Sequence, residues 1–353
     1  MISMRSAPRT MSTSPAAPLA EVVRGDLVES VHVGHLVALA ADGRSVVEAG
    51  DPAVTFWPRS SLKPVQALAL VRAGLDVPDR LLALACASHA GDAVHRDGVH
   101  ELLGLAGLDE TALHNTPALP LDPAVALEWE LAGHGPSRLT QNCSGKHAAM
   151  LVTCRVNGWD LASYLDPEHP LQREVAATVR ELTAPFTGGG TDGSTAAPEE
   201  PGAAHVTVDG CGAPLFSTTV AGLARAFARL GGAPQRDPLS AEARVARAMN
   251  QHPHMVSGSG RDATVLMQAV EGLIAKDGAD GVLALAVADG RALAFKVADG
   301  AKRPVHAVVD AALRALGILA DDAGPLLRPF PVEGGGVSVG EVRAAAGLTG
   351  DRA

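Results

Sequence analysis

Residues 59–64 read Arg59-Ser60-Ser61-Leu62-Lys63-Pro64 and are followed by an apolar segment from Val65 to Val71. Proline is tolerated in the first turn of a helix, because the amide hydrogen that it lacks would have no partner there. The position of Pro64 therefore predicts that a helix begins within this stretch. Ser60 and Lys63 then lie on one face of that helix, one turn apart.

This spacing has a chemical meaning. A serine hydroxyl is a poor nucleophile at neutral pH unless a base lies within hydrogen-bond reach. A lysine can be that base when burial or nearby positive charge lowers its pKa. The Ser-x-x-Lys pattern at a helix start is thus typical of a nucleophile pair, Ser60 with Lys63. The same residues are also compatible with a serine that caps the helix and a solvated lysine.

The composition limits the classes of partner. The chain has 353 residues, 47% of them hydrophobic, which is enough for one large domain or two. A net charge of −10 and an aromatic content of 3% argue against nucleic acid and against anionic membrane surfaces. No apolar run is long enough to span a bilayer. We therefore expect neither nucleic acid nor a membrane as partner.

The N-terminal residues and the cysteines predict a location. Residues 1–20 are rich in Ser, Pro and Ala and lack the apolar core of a signal peptide, so we expect a disordered N-terminal lead. The four cysteines, Cys86, Cys143, Cys154 and Cys211, form no CxxC pair. They are expected to be reduced thiols in a cytoplasmic protein.

The order of apolar patterns predicts the fold class. A hairpin is expected at 35–48 around Asp42-Gly43, and further strands at 205–208 and 282–297. Helical patterns fill most of the chain between the first two. Connections of that length favour α+β segregation over regular βαβ alternation.

We therefore divide the chain into a sheet subdomain and a helical one. The first comprises residues 21–76 and 205–353, and the second comprises residues 77–204. The second ends in a low-complexity loop at 184–204, which is rich in Gly, Pro and Thr.

Further polar residues stand in unusual places. Ser88 follows a run of small residues and could lie exposed between two elements. His89, His95 and His100 lack helical metal spacing, which disfavours a metal site made of these three. Lys296 interrupts the apolar strand 292–297, where it is either on an exposed face or buried for function.

Several short motifs occur in an order that is found together in one family. They are Val23-Arg24-Gly25, Arg59-Ser60-Ser61-Leu62-Lys63-Pro64, Cys86-Ala87-Ser88-His89, Asn142-Cys143-Ser144-Gly145-Lys146-His147, Asp209-Gly210-Cys211-Gly212, His252-Pro253, Gly258-Ser259-Gly260-Arg261 and Lys296 near Asp299-Gly300. Over roughly residues 20 to 330 the chain resembles the Rhizobium etli-type L-asparaginases, the asparaginase II family.

The resemblance implies a fold and a reaction. The fold is that of the serine β-lactamases and glutaminases, an antiparallel sheet flanked by helices together with a mostly helical part. The reaction is hydrolysis of L-asparagine to L-aspartate and ammonia through an acyl-enzyme. Two Ser-Lys pairs are implied, Ser60 with Lys63 and Ser88 with Lys296. Ser60 would attack the amide carbon while Lys63 takes its proton.

A zinc site near the substrate is also implied, at Cys143, Lys146 and Cys211. Taken without the resemblance, two isolated cysteines are more typical of a protein core. A lysine ligand must be a neutral amine, and His147 is the substitute if Lys146 is not a ligand. In this interpretation zinc tunes substrate binding and is not the Lewis acid.

The remaining expectations concern the substrate and the assembly. Asp209 either binds the α-ammonium group or stabilises its own turn. Arg59 either pairs with the α-carboxylate or is structural. By resemblance, His89 and Gly258 also belong to the substrate site, and the protein is expected to be a homodimer.

Two rival functions remain open on the sequence. A β-lactamase or penicillin-binding-type acyl hydrolase would share the Ser-x-x-Lys helix, but the chain has no Ser-Asp-Asn element and no Lys-Thr-Gly strand. A non-catalytic zinc or amino-acid sensor would need no nucleophile. Asparagine and glutamine differ by one methylene, worth about 1–3 kcal/mol, so the sequence does not rank them.

Overall fold

The computed structural model describes residues 10–186 and 199–349. Most of the predicted low-complexity loop, and residues 1–9 of the predicted lead, lie outside these ranges. The sequence also places residues 17–20 in the lead, but they form the beginning of the first strand. The reason is burial, since Leu19, Ala20 and Val22 are fully enclosed in the core.

Twelve strands occur in the described residues, eight of them in one sheet. In chain order they are β1 (Ala17–Arg24), β2 (Leu27–Leu39), β3 (Ser45–Ala49), β4 (Thr55–Phe56), β5 (Val206–Val208), β6 (Pro214–Phe216), β7 (Thr218–Thr219), β8 (Ile274–Gly278), β9 (Val282–Ala286), β10 (Ala292–Val297), β11 (Val332–Gly334) and β12 (Val337–Ala344). The short strands β4 and β7 pair with each other, as do β5 and β6.

The main sheet is antiparallel throughout and runs in the order β11-β12-β1-β2-β10-β9-β8. Strand β2 is long enough to pair with β1 through its first half and with β3 through its second. The predicted hairpin at 35–48 is therefore confirmed. The sheet joins the two ends of the described chain, because β1 pairs with β12 and β2 pairs with β10.

Twelve α-helices are described. They are α1 (Lys63–Arg72), α2 (Asp79–Ala85), α3 (Ala93–Leu105), α4 (Pro123–Leu131), α5 (Ser144–Asn157), α6 (Pro170–Thr183), α7 (Val220–Arg236), α8 (Ala241–Gln251), α9 (Pro253–Val256), α10 (Asp262–Ala269), α11 (Val305–Ala315) and α12 (Ala346–Thr349).

Burial explains how these layers hold together. Every residue of β9 is buried, as expected for a strand whose apolar run is continuous and not alternating. Helix α7 packs on β2, β9 and β10, and α11 packs on β12, β1 and β3. The fold class is therefore α+β, with an antiparallel sheet flanked by helices, as the sequence predicts.

Helix α1 lies at the centre of the helical part. Its residues from Lys63 to Leu70 are all buried, which is the pattern of a helix enclosed on every side. It packs against α2, α5, α6 and α8. Pro64 lies in the first turn, as predicted.

Two features of the sheet were not predicted. Strand β8 and the two C-terminal strands, β11 and β12, were not recognised. The division into sheet and helical subdomains stays a proposal, because α8 of the first packs on α2 of the second. Among the described residues, no helix has the length and apolar character that crossing a membrane requires.

Candidate functional site

Lys63 begins α1, and its side chain is buried against the loop that follows α2. Only 1% of the residue is exposed. Its Nζ donates to the carbonyl oxygen of Ala87 at 2.5 Å and lies 3.0 Å from Oγ of Ser88. The Ser88 amide donates to the carbonyl of Val256 at 3.0 Å, which holds the loop in place. The alternative of a solvated Lys63 is therefore wrong.

Ser60 lies in a 3₁₀ turn, Arg59–Leu62, directly before α1. It is partly exposed, whereas Ser88 is only 4% exposed. Within the described residues its hydroxyl makes no hydrogen bond, so the predicted contact between Ser60 and Lys63 is not formed in this state. Neither Ser60 nor any other side chain caps the turn or the helix. The alternative role of Ser60 as a capping serine is therefore wrong as well.

Lys276 on β8 is a buried lysine that the sequence analysis missed. It is 0% exposed, and its Nζ donates to the backbone carbonyl and the Oδ1 of Asp277 at 2.7 and 2.6 Å. Burial lowers the pKa of Lys276 to about 8; the Asp277 carboxylate opposes this shift, and the positive charge of Lys63 adds to it. The available signal was a Lys-Asp pair directly after the apolar run Leu273-Ile274-Ala275.

Lys296 does not make the contact that the resemblance implies. Its Nζ donates to the carbonyl oxygens of Asp280 at 2.7 Å and of Val297 at 2.5 Å, and Ser88 is not among its partners. The Ser88–Lys296 pair is therefore not formed, and Lys63 occupies the place beside Ser88. Lys296 instead lines a cleft of about 760 Å³ together with Arg59 and Asp280.

Arg59 connects the start of the 3₁₀ turn to two acidic residues. Its Nε donates to Oδ1 of Asp209 at 2.7 Å, and its Nη1 donates to Oδ2 of Asp280 at 2.8 Å. Arg59 and Asp280 both have left-handed backbones, with φ of 55° and 58°. Such a conformation is uncommon for residues other than glycine and needs support from its surroundings. The residue before Ser60 is thus held in a strained conformation by two ion pairs.

Asp209 is ionised in this setting. Burial raises its pKa, but the hydrogen bond from Arg59 and the positive charge of Lys146 outweigh burial and leave the pKa below its ordinary value. Its Oδ1 also accepts from the Gly210 amide at 2.8 Å, so Asp209 stabilises its own turn. A role in stabilising the turn does not exclude a role in binding the substrate's α-ammonium group. The turn and Arg59 both bond to Oδ1, and the carboxylate keeps Oδ2 for a ligand.

Cys143, Cys211 and Lys146 lie together in a buried cluster, as the resemblance implies. They are 3%, 2% and 2% exposed, and Lys146 Nζ is 3.5 Å from Cys211 Sγ. The neighbouring Cys143 side chain and the charge of Lys146 outweigh burial and lower the pKa of Cys211 to about 5. The neighbouring Cys211 side chain and burial raise the pKa of Cys143 to about 12, and the Cys143 thiol donates to Asn142 Oδ1 at 3.0 Å. The cluster therefore holds one thiolate, one thiol and one ammonium group.

This donor set fits a zinc ion. Thiolates are soft ligands, and they bind zinc in preference to harder cations. Burial alone would lower the pKa of Lys146, but the two thiol groups and Asp209 raise it, so the lysine would have to lose a proton on binding metal. His147 Nδ1 lies 2.8 Å from the Tyr164 hydroxyl, and among the described residues His147 forms no group with Cys143 and Cys211 whose donor atoms all lie within 4.8 Å of one another. Lys146, which is 3.5 Å from Cys211 Sγ, is thus better placed than His147 to complete the set.

His89 directly follows Ser88 in the chain, and Gly258 packs closely against Ala90 of the same loop. His89 Nε2 is 2.8 Å from Ser144 Oγ, and that hydroxyl donates to the carbonyl of Leu139 at 2.7 Å, so the imidazole is the donor. Burial lowers the pKa of His89 well below its ordinary value, so the ring is neutral. Gly258 has φ of 119°, and a Cβ there would come within 2.5 Å of the Ala90 side chain. Only glycine fits this close approach.

Residues 20–344 match a family model described as L-asparaginase II. No curated protein matches the chain. Among solved structures, Mglu in its native form is 16% identical, with a TM-score of 0.35 over 82% of this chain and 66% of Mglu. The hydrolase EstCE1 is 14% identical, with a TM-score of 0.40 over 80% of this chain and 93% of EstCE1. A β-lactamase from Mycobacterium bovis is 16% identical, with a TM-score of 0.35 over 80% and 94%. The chain spans just under two thirds of the length of Mglu.

Proposed function

The chain belongs to the L-asparaginase II family, and on that premise we propose that it hydrolyses the side-chain amide of L-asparagine to L-aspartate and ammonia. The observation that carries the proposal is the buried contact of 3.0 Å between Lys63 Nζ and Ser88 Oγ. A lysine amine buried beside a serine hydroxyl is the arrangement that activates an oxygen nucleophile. A non-catalytic zinc or amino-acid sensor would not need an activated nucleophile.

Ser60 is the proposed nucleophile because it is the more accessible of the two serines. Its Oγ attacks the amide carbon and forms a C–O bond, while Lys63 takes the hydroxyl proton. The C–N bond then breaks, and ammonia leaves with a proton returned by Lys63. Water cleaves the resulting ester and releases aspartate. Catalytic hydrogen bonds are often long without substrate, so the missing Ser60–Lys63 contact does not exclude this role.

Ser88 and Lys276 assist in this scheme. Ser88 is buried beside Lys63 and relays protons to and from its amine. Lys276 places a second buried amine in the same region, close enough to Lys63 for the positive charge of Lys63 to lower the pKa of Lys276. The alternative is that Ser88 itself attacks, since it already contacts Lys63. That alternative requires substrate to reach a residue only 4% exposed.

The substrate's amino-acid head group is proposed to bind at Asp209. An ionised carboxylate with one free oxygen is suited to an α-ammonium group. Arg59 already pairs with two carboxylates, so we assign it the role of holding Asp209 and leave the α-carboxylate to other groups.

Zinc is proposed to bind at Cys143, Cys211 and Lys146. It would supply positive charge next to Asp209 and stiffen the 209–212 turn, so its effect falls on substrate binding. The expected homodimer and cytoplasmic location are further parts of the proposal.

The test is ammonia release from a panel of asparagine, glutamine and unrelated amides, with nitrocefin hydrolysis measured alongside. Asparagine turnover that disappears in Lys63→Met supports the proposal. Nitrocefin turnover without ammonia release would replace it with a β-lactamase, and inactivity on every substrate would favour a sensor. Rapid quenching with intact-protein mass analysis identifies the acylated serine. An adduct on Ser88 would reverse the roles of the two serines.

A further inference from the structure

Two histidines and one aspartate converge beside the Ser88 loop, outside the cluster of thiols. They are Asp92, His95 and His254, and one donor atom from each lies within 4.8 Å of the other two. Asp92 caps the N-terminus of α3, where its side chain accepts from the His95 amide. His254 lies on α9. Sequence motifs do not predict that these three residues lie close together, because His254 is far from Asp92 and His95 in the sequence.

The hydrogen bonds fix the tautomer of His95. Its Nε2 lies 2.9 Å from the backbone carbonyl of His254, and a carbonyl only accepts, so Nε2 carries the hydrogen. In the neutral ring, Nδ1 is then a bare acceptor. That atom is 2.5 Å from Oδ1 of Asp92, yet the geometry between them is not that of a hydrogen bond. Two acceptors this close, one of them fully buried, must share either a proton or a metal ion.

His254 faces the same carboxylate from the other side. Its Nε2 is 3.3 Å from Oδ2 of Asp92, and its Nδ1 is 3.2 Å from the Ser259 hydroxyl, which can accept the other ring hydrogen. Metal-ligating histidines commonly donate their second ring hydrogen to a carbonyl or another acceptor, which fixes ring and tautomer. Both histidines here have such a partner. Two protons can fill the two gaps separately, as an imidazolium at His95 and a ring N–H at His254, whereas one metal ion joins all three residues. The metal titration below distinguishes these two arrangements.

We propose that Asp92, His95 and His254 bind a divalent transition-metal ion such as zinc or cobalt. Two imidazoles and one carboxylate are ligands typical of these metals, which bind them at about 2.1 Å. Binding requires His95 Nδ1 and Asp92 Oδ1 to move apart from their separation of 2.5 Å. The aspartate and His254 side chains are 30% and 37% exposed, which leaves the remaining position open to water. This site is distinct from Cys143, Lys146 and Cys211.

The position of the site gives it a structural effect. His95 stacks on His89 with ring centroids 5.1 Å apart, and His89 follows Ser88 in the chain. His254 stacks on the other face of His95 at 5.0 Å. A bound ion would therefore clamp the start of α3 to the loop that contains Gly258. Both segments adjoin the Ser88 loop.

The absorption spectrum of bound cobalt(II) distinguishes the two proposed metal sites in the wild-type chain. Cobalt bound by thiolates absorbs strongly in the near ultraviolet, whereas cobalt bound by nitrogen and oxygen does not. After chelator treatment, titration of the full chain with cobalt should reveal an equivalent that adds no thiolate band. We expect Asp92→Asn and His254→Gln each to weaken that equivalent by at least about 10-fold and to leave the thiolate band unchanged. Asparagine retains the helix-capping function of Asp92, which favours correct folding.

His100→Gln is the matched control, since His100 lies on the same helix and is exposed. It should bind cobalt as the wild type does. Binding that is confined to one equivalent with a thiolate band would overturn the proposal, and so would an unchanged second equivalent in both variants. Neither result depends on asparaginase activity, so the proposed function is tested separately.

Discussion

Lys276 and Lys296 lie on the same face of the main sheet, two strands apart. Ala284 of β9 pairs directly with Lys276 on one side and with Ala294 on the other, and Ala294 is two residues before Lys296. Directly paired residues share a face, and so do residues two apart in one strand. Lys276 is fully buried, whereas Lys296 is half-buried and bonded to two backbone carbonyls.

Replacement of Lys276 should remove a specific pH dependence of stability. Below pH 8 the lysine is protonated in both states, and burial of its charge costs stability. Between about pH 8 and the ordinary lysine pKa of 10.5, the folded chain has lost this proton and the unfolded chain has kept it. The unfolding free energy should therefore rise with pH across this window, by about 3 kcal/mol from this residue alone.

Urea unfolding of Lys276→Met at both ends of that window should show a smaller rise than the wild type does. Asp277 keeps a contact with Arg261 at 3.6 Å, so its carboxylate is not left alone. Lys302→Met serves as the control, because Lys302 is exposed. Parallel behaviour of wild type and Lys276→Met would show that Lys276 keeps an ordinary pKa.

Removal of either proposed catalytic group should abolish ammonia release. We expect Ser60→Ala and Lys63→Met each to lower kcat by at least about 10³-fold, and the double variant to be little worse, because residues that act as a unit are not additive. Ser61→Ala is the matched control. Its hydroxyl donates to the Pro58 carbonyl at 2.7 Å inside the same turn, so its loss should affect stability more than kcat. Substantial activity in Ser60→Ala would eliminate Ser60 as the nucleophile.

The carboxylate of Asp209 should matter for substrate binding. Asp209→Asn removes the charge and keeps the size, so we expect KM to rise by about 10-fold or more while kcat changes less. Asp280→Asn breaks the other, more exposed ion pair of Arg59 and should have a smaller effect on KM. Initial rates over a range of asparagine concentrations measure both. Equal effects of the two variants would assign Asp209 a purely structural role.

The buried thiols should retain zinc in the purified protein. Elemental analysis is expected to find zinc that is lost in Cys143→Ser and in Cys211→Ser. Cys154→Ser is the control, since Cys154 is a buried free thiol on α5 outside the cluster. Chelation should raise KM more than it lowers kcat, because the metal is assigned to substrate binding. Protein that takes up no zinc after reconstitution, in wild type and control alike, would remove this site.

Sequence patterns predicted the features of the fold that depend on the conformational preferences of a few neighbouring residues. Pro64 marked the start of α1, and Asp42-Gly43 marked a hairpin, because both depend on backbone preferences of a few residues. Which lysine is buried depends on strand order, and the order β10-β9-β8 is set by packing between distant segments. The same limit hid the cluster of Asp92, His95 and His254, whose members are joined only by tertiary contacts.

The pairing of β2 with β10 and of β1 with β12 also constrains how the chain folds while it is being synthesised. A growing polypeptide emerges from its N-terminus, so β1, β2 and β3 leave the ribosome long before Phe295 can lie opposite Leu36 or Val342 opposite Val22. Until then these strands form a ribbon whose unpaired edges can capture other nascent chains. The intervening helices can pack first, but the sheet closes only late in translation. Cellular yield should therefore depend on chaperones that shield this ribbon while the last strands are being made.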